Sequence, residues 1–162
     1  VNGQPSQLLY PAVAVTIVAF VLLVSTNGPA VMGSSLAIVA GILALAGLIS
    51  IWQPRWQLLL TGFAAHGAIL LLVNALPEIE GKAELGFWCL VISAALTAWA
   101  FGQSLWAATR HPGLLGVALV VLFVFWVLVL WEIVARGAGE SSVLPPAPST
   151  LWADTASGQA DQ

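Results

Sequence analysis

Charge is what this chain has least of. Of its 162 residues, four are Lys or Arg and seven Asp or Glu, 7% in all, against about a quarter in soluble domains. That scarcity excludes a water-exposed globular surface. Four basic residues and a net charge of −3 also exclude a nucleic-acid surface, which needs Lys and Arg to displace phosphate counterions. The single cysteine, Cys89, excludes an intrachain disulfide. It lies in an apolar run with no neighbour that would make it a thiolate, so it reads as a small buried hydrophobe. No Walker motif, nucleophile–base pair, zinc spacing or glycine-rich phosphate loop occurs, and no enzyme is expected.

What is present is apolar length. Sixty per cent of the residues are hydrophobic and the mean hydropathy is +0.99. They fall into five runs, about 8–25, 33–52, 56–75, 85–107 and 114–135, each near the roughly 20 residues that cross a bilayer as a helix. The expected fold is an all-α integral membrane protein, a bundle of five transmembrane helices with short loops and a proline-rich polar C-terminal tail. Residues 1–113 form a four-helix module; 114–162 hold the fifth span and the extramembrane tail. Val1 to Gln7 lacks a basic segment and no small-residue cleavage pattern follows the first run, so that run reads as a span and not a signal peptide.

Within the runs, small and polar residues carry the information. Gly33, Ala37, Gly41 and Ala44 in the second run, and Ala94, Ala98 and Gly102 in the fourth, recur at helical spacing. Such faces let helices approach closely where lipid supplies no drive for association, so the second and fourth helices are expected to pack together. Trp52-Gln53-Pro54-Arg55-Trp56 is a tight connection with tryptophans at headgroup depth, making a hairpin of helices two and three. His66, flanked by Gly62 and Gly67, lies mid-run, where a polar group is costly unless paired. It reads either as an axial ligand to haem or a chlorophyll-type pigment or as a histidine hydrogen-bonded to a neighbouring helix. Pro77 to Glu84 holds three carboxylates and one ammonium; it reads as a solvated loop and matches no calcium loop. Glu132 precedes Arg136 by four residues, the favourable order for an ion pair on one helix face, here at the membrane interface beside Trp131.

The order Trp131-Glu132, Arg136, Leu144-Pro145, Pro148-Ser149 and Trp152 resembles the first helix and following loop of binding-protein-dependent ABC importer permeases of the nitrate, taurine and aliphatic-sulfonate subfamily. The likeness covers about residues 114–154. It implies transport of a small anion, driven by separate ATPase subunits and supplied by a periplasmic binding protein, in a bacterial inner membrane. It further implies that the family's remaining helices and coupling loop would follow Gln162, so that these residues alone are not transport-competent. A second reading is an accessory subunit packed against a larger photosynthetic or respiratory membrane complex. In both, the partners are lipid and other membrane subunits. Basic residues divide evenly between the two sides, Arg55 and Arg110 against Lys82 and Arg136, so they do not orient the chain. The acidic residues gather on the Lys82 side, and with the resemblance this leads to an expected amino end inside and carboxyl end outside.

Overall fold

The computed structural model describes residues 7, 9–25, 30–79, 83–108, 112–138 and 145–158. The elements are α1 (Leu9–Ser25), α2 (Ala30–Trp52), a 3-10 turn (Pro54–Trp56), α3 (Gln57–Ile79), α4 (Leu85–Ala108), α5 (Pro112–Gly137) and α6 (Pro148–Gly158). No strand occurs among the described residues. A helix satisfies every backbone polar group within its own segment, which is why long apolar runs take this form. Prolines mark the starts: Pro112 and Pro148 occupy the first helical positions of α5 and α6, where a missing N–H costs nothing.

Three helices among the described residues are long and apolar enough to cross a membrane, Gln57–Pro77, Leu85–Ala108 and Gly116–Gly137; the apolar stretches Leu9–Leu22 and Leu36–Trp52 are shorter. This is the make-up of an integral membrane protein. Two boundaries differ from the sequence expectation. Helix α3 continues through Pro77 to Ile79, since a proline in the final turn removes only one hydrogen bond near the end of the ladder. And the proline-rich tail is not all irregular, because Pro148 opens α6.

Helices α1 to α4 close into a ring in which each packs against its chain neighbours and α1 meets α4. Their shared interior combines Leu36, Val39, Ala40 and Leu43 of α2, Ala64, Ala68 and Leu72 of α3, and Phe87, Leu90 and Ala94 of α4. The expected contact of α2 with α4 is present but is a lesser one: those two meet across the ring, and α4 is flanked by α1 and α3. The buried stripe of α2 is also displaced by one residue from the small-residue face. Ala37, Gly41 and Ala44 are half-buried, and a Cβ at Gly41 would meet nothing within 4 Å. The surroundings of Gly33 lie outside the described residues. Branched side chains fill this interior, so close approach falls elsewhere: Gly47 against Val13 of α1, and Gly62 against the Phe101 ring, 2.8 Å from where a Cβ would stand.

Helix α5 joins this ring from outside, along a stripe of Trp126, Ile133 and Gly137. Trp126 packs on Ala65 and Ile69 of α3, Ile133 reaches the common interior, and Gly137 receives the edges of Phe87 and Trp88. Most of its circumference is uncovered, with Val117, Val120, Val121, Phe123, Val124 and Leu128 exposed.

Candidate functional site

The polar groups of the ring are few and answered locally. Thr16 of α1 and Ser93 of α4, both buried, hydrogen-bond to each other, and each also donates to or shares the Ala12 carbonyl, at 2.7 and 3.2 Å. Gln57 of α3 donates to Ser104 of α4 at 2.7 Å, and Ser104 passes its own proton to the Ala100 carbonyl. These two clasps fasten α4 to both neighbours. The sequence signal was present, as lone hydroxyls inside apolar runs, but it does not say which hydroxyl meets which.

His66 is turned toward its own helix. Its Nδ1 lies 2.7 Å from the Gly62 carbonyl, and its ring stands edge-on to Phe101 and Trp126, centroids 5.6 and 5.8 Å away. The space beside Gly62 is taken by the Phe101 ring, while a Cβ at Gly67 would meet nothing within 4 Å. No cluster of three or more His, Cys, Asp or Glu side chains able to hold a metal occurs among the described residues. Cys89 packs half-buried against the common interior. Of the charged stretch, Pro77 to Ile79 belong to α3 and Glu84 lies outside a helix. Glu80 to Lys82, like Arg110 and His111, fall outside the described residues.

The best-defined polar site joins α5 to α6. Arg136 Nε lies 2.6 Å from Glu132 Oε1, the expected pair. The same carboxylate accepts the Ser149 backbone N–H at 3.0 Å and the Ser149 hydroxyl at 2.6 Å, and Arg136 donates to Ser149 Oγ at 2.8 Å. Ala147 begins the helical ladder of α6, its carbonyl accepting from Thr150 and Leu151, but it has no side-chain acceptor with which to cap the turn. Glu132 supplies that acceptor from another helix, placing a negative charge at a helix N-terminus where the backbone dipole favours it. Beyond the clasp, Leu151 and Trp152 are exposed. The pair was legible from spacing; its third member was not, because Ser149 is thirteen residues beyond Arg136 and only the fold brings it back.

Two further features belong to α5. The indole N–H groups of Trp126 and Trp131 are buried without an acceptor among the described residues, a cost for a polar group in an apolar setting. And α5 touches α4 at Gly137 but stands away from it farther along, leaving a groove of about 600 Å³ lined by Ala98, Trp99 and Gly102 of α4 and Phe123 and Trp126 of α5. The expected small-residue face of α4 thus divides: Ala94 is in the common interior, while Ala98 and Gly102 line this groove.

Comparisons with family models, with curated proteins and with solved structures give no match to this chain.

Proposed function

We infer that this chain is the membrane-embedded amino-terminal portion of an ABC importer permease for a small anion such as nitrate or a sulfonate. The observation that carries the reading is the α5–α6 clasp: Glu132, Arg136 and Ser149, three of the residues on which the resemblance rests, meet in one hydrogen-bonded cluster. Residues that resemble a family motif and also touch one another have a shared structural reason to occur together. In this reading α5 is the first helix of the permease domain, its uncovered face the seat of further permease helices, and α1 to α4 an additional anchoring module. All five long helices then cross the membrane. Helix α1 has 17 residues and α2 has 23, and both pack within the ring beside α3 and α4. The amino end lies inside a bacterial inner membrane and α6 outside.

A different class of partner draws on another observation. The ring of α1 to α4 is closed, and among its described residues no buried one is ionisable; this favours an accessory subunit of a photosynthetic or respiratory complex. Capture of the tagged protein from native membranes in mild detergent separates the two. Stoichiometric recovery of an ATP-hydrolysing subunit, with transport of the anion lost on deletion, supports the importer. Recovery of a redox or light-harvesting complex, with a haem or pigment absorption band that disappears in His66→Ala, replaces it with the accessory subunit.

A further inference from the structure

We propose that α6 lies along the bilayer surface, with Leu151 and Trp152 set into the boundary between headgroups and acyl chains. The clasp fixes the depth. The span Gly116–Gly137 of α5 has 22 residues, which at a helical rise makes roughly 33 Å, close to the thickness of the hydrocarbon core. Its last turns therefore stand at the edge of that core, and the two charged residues of the span, Glu132 and Arg136, both lie there. Ser149 bonds to Glu132 through its backbone N–H and its hydroxyl, so α6 begins at the same level. Leu151 and Trp152 follow within one helical turn, at most about 5 Å along the axis. Whichever way α6 points, these two side chains stay near the boundary.

The surroundings and the faces of α6 select lipid as the occupant. Among the described residues α6 packs against α5 alone, and Leu151 and Trp152 are 42% and 81% exposed. An indole beside an aliphatic side chain suits the headgroup level, where one end of the ring is apolar and the other wet. At 3.6 residues per turn Leu151, Trp152 and Thr155 share one side of the helix, and Thr150 and Ala153 the other. Thr155 adds no unmet donor to the apolar side, since its hydroxyl lies 2.9 and 3.0 Å from the Leu151 and Trp152 carbonyls. The helix has 11 residues and no Lys or Arg. It is too short to cross, and its hold on the surface comes from apolar area and the clasp, not from attraction to anionic lipid. This inference rests on α5 crossing a membrane and is independent of the importer reading.

The test leaves the two anchoring side chains in place and reads the faces beside them. Nitroxide labels are attached to Thr155→Cys and, separately, to Ala153→Cys, each in a full-length Cys89→Ala chain reconstituted in phosphatidylcholine vesicles. Collision with oxygen, which concentrates among acyl chains, is compared with collision with a water-soluble nickel chelate. The expected result is that the label at 155 meets more oxygen and less chelate than the label at 153. Adding Leu151→Ser with Trp152→Ser, both at exposed positions, should abolish that difference and leave the unfolding temperature of the ring unchanged. Labels equally open to the chelate would place α6 in water, and labels shut off from both reagents would place it against protein. A difference that survives the two serines would mean that Leu151 and Trp152 are not its anchor. Each of these three results overturns the proposal.

Discussion

Helices α1 to α4 and helix α5 draw on the same small set of apolar residues, yet the chain treats them in opposite ways. In an 18-residue apolar window of α4, 44% of the residues are buried within the protein; in that of α5, the most hydropathic of the three spans, 11% are. In water the order would be reversed, since apolar area drives burial. In lipid that drive is gone, and neighbours are chosen by shape and by hydrogen bonds. The ring has both: alanine-rich surfaces interleaved with Leu and Phe, and hydroxyl clasps at Thr16–Ser93 and Gln57–Ser104. On α5 valine, leucine and phenylalanine surround the whole helix, and the attachment is made by buried Trp126, Ile133 and Gly137 with Leu122, Val129 and Leu130 packed beside them. Hydropathy assigns a helix to the membrane; side-chain size and polarity assign it to a neighbour.

The sharpest way to break this division is at Trp126. It is 7% exposed and seated on Ala65 and Ile69 of α3, so Trp126→Ala leaves a cavity at the main contact of α5. Loss of so large a side chain from a packed site costs about 3–5 kcal/mol. The expected outcome is detachment of α5, seen as loss of cross-linking between cysteines placed on α3 and α5, while α1 to α4 unfold at their usual temperature. If the ring melts together with α5, the two regions are one cooperative unit and the division fails.

The ring itself is tested at its glycines. A Cβ at Gly62 would stand 2.8 Å from the Phe101 ring, whereas at Gly67, five residues on, it would meet nothing within 4 Å. Gly62→Leu forces α3 and α4 apart and destabilises the ring by about 1–3 kcal/mol. Gly67→Ala removes backbone freedom without a clash and raises stability by up to about 1 kcal/mol. Thermal unfolding of the purified variants reads both, and equal effects would mean that glycine on α3 serves flexibility and not fit.

These glycines also show how far the sequence was legible. The five apolar runs and the position of the hairpin at Pro54 could be read directly, because a hydropathy window and a proline act locally. The pairing of helices could not. A stripe of small residues states that something fits closely but not what, and on α2 the spacing of Gly41 and Ala44 pointed one residue away from the face that is buried, Val39, Ala40 and Leu43. Likewise Gly102 marks a gap and not a seam. Helix α6 was readable in principle: Pro148 at a first helical position followed by Ser149 and a run of helix-compatible residues is a start signal, obscured by the neighbouring prolines. The carboxylate that caps it had no sequence signal, since it comes from seventeen residues upstream.

A smaller effect is expected at the α1–α4 clasp. Thr16→Val keeps the shape and removes one hydroxyl, and Ser93 retains the Ala12 carbonyl at 3.2 Å. Interhelical hydrogen bonds in membrane proteins average about 0.6 kcal/mol, and the loss should be of that order. A double variant with Ser93→Ala measures the coupling; an interaction energy indistinguishable from zero would show that apolar packing alone selects α1 as the partner of α4.

The smallest expected change in overall stability is at Glu132, and it is the one that tells whether α6 belongs with α5. Glu132→Gln preserves the size of the side chain and one acceptor oxygen but removes the charge that faces both Arg136 and the first turn of α6. Partly exposed ion pairs contribute at most about 1 kcal/mol, so the unfolding temperature of the ring should not move. Hydrogen exchange at the Ser149 amide should, because that N–H has Glu132 as its acceptor, and protection should fall across α6 as its capped end frays. Protection unchanged in the variant would mean that α6 is held by Ala147, which is 5% exposed, and that the carboxylate lies beside the helix without capping it. Protection lost in α6 alone, with α5 still docked, would show charge doing at the end of α5 what shape does along its length.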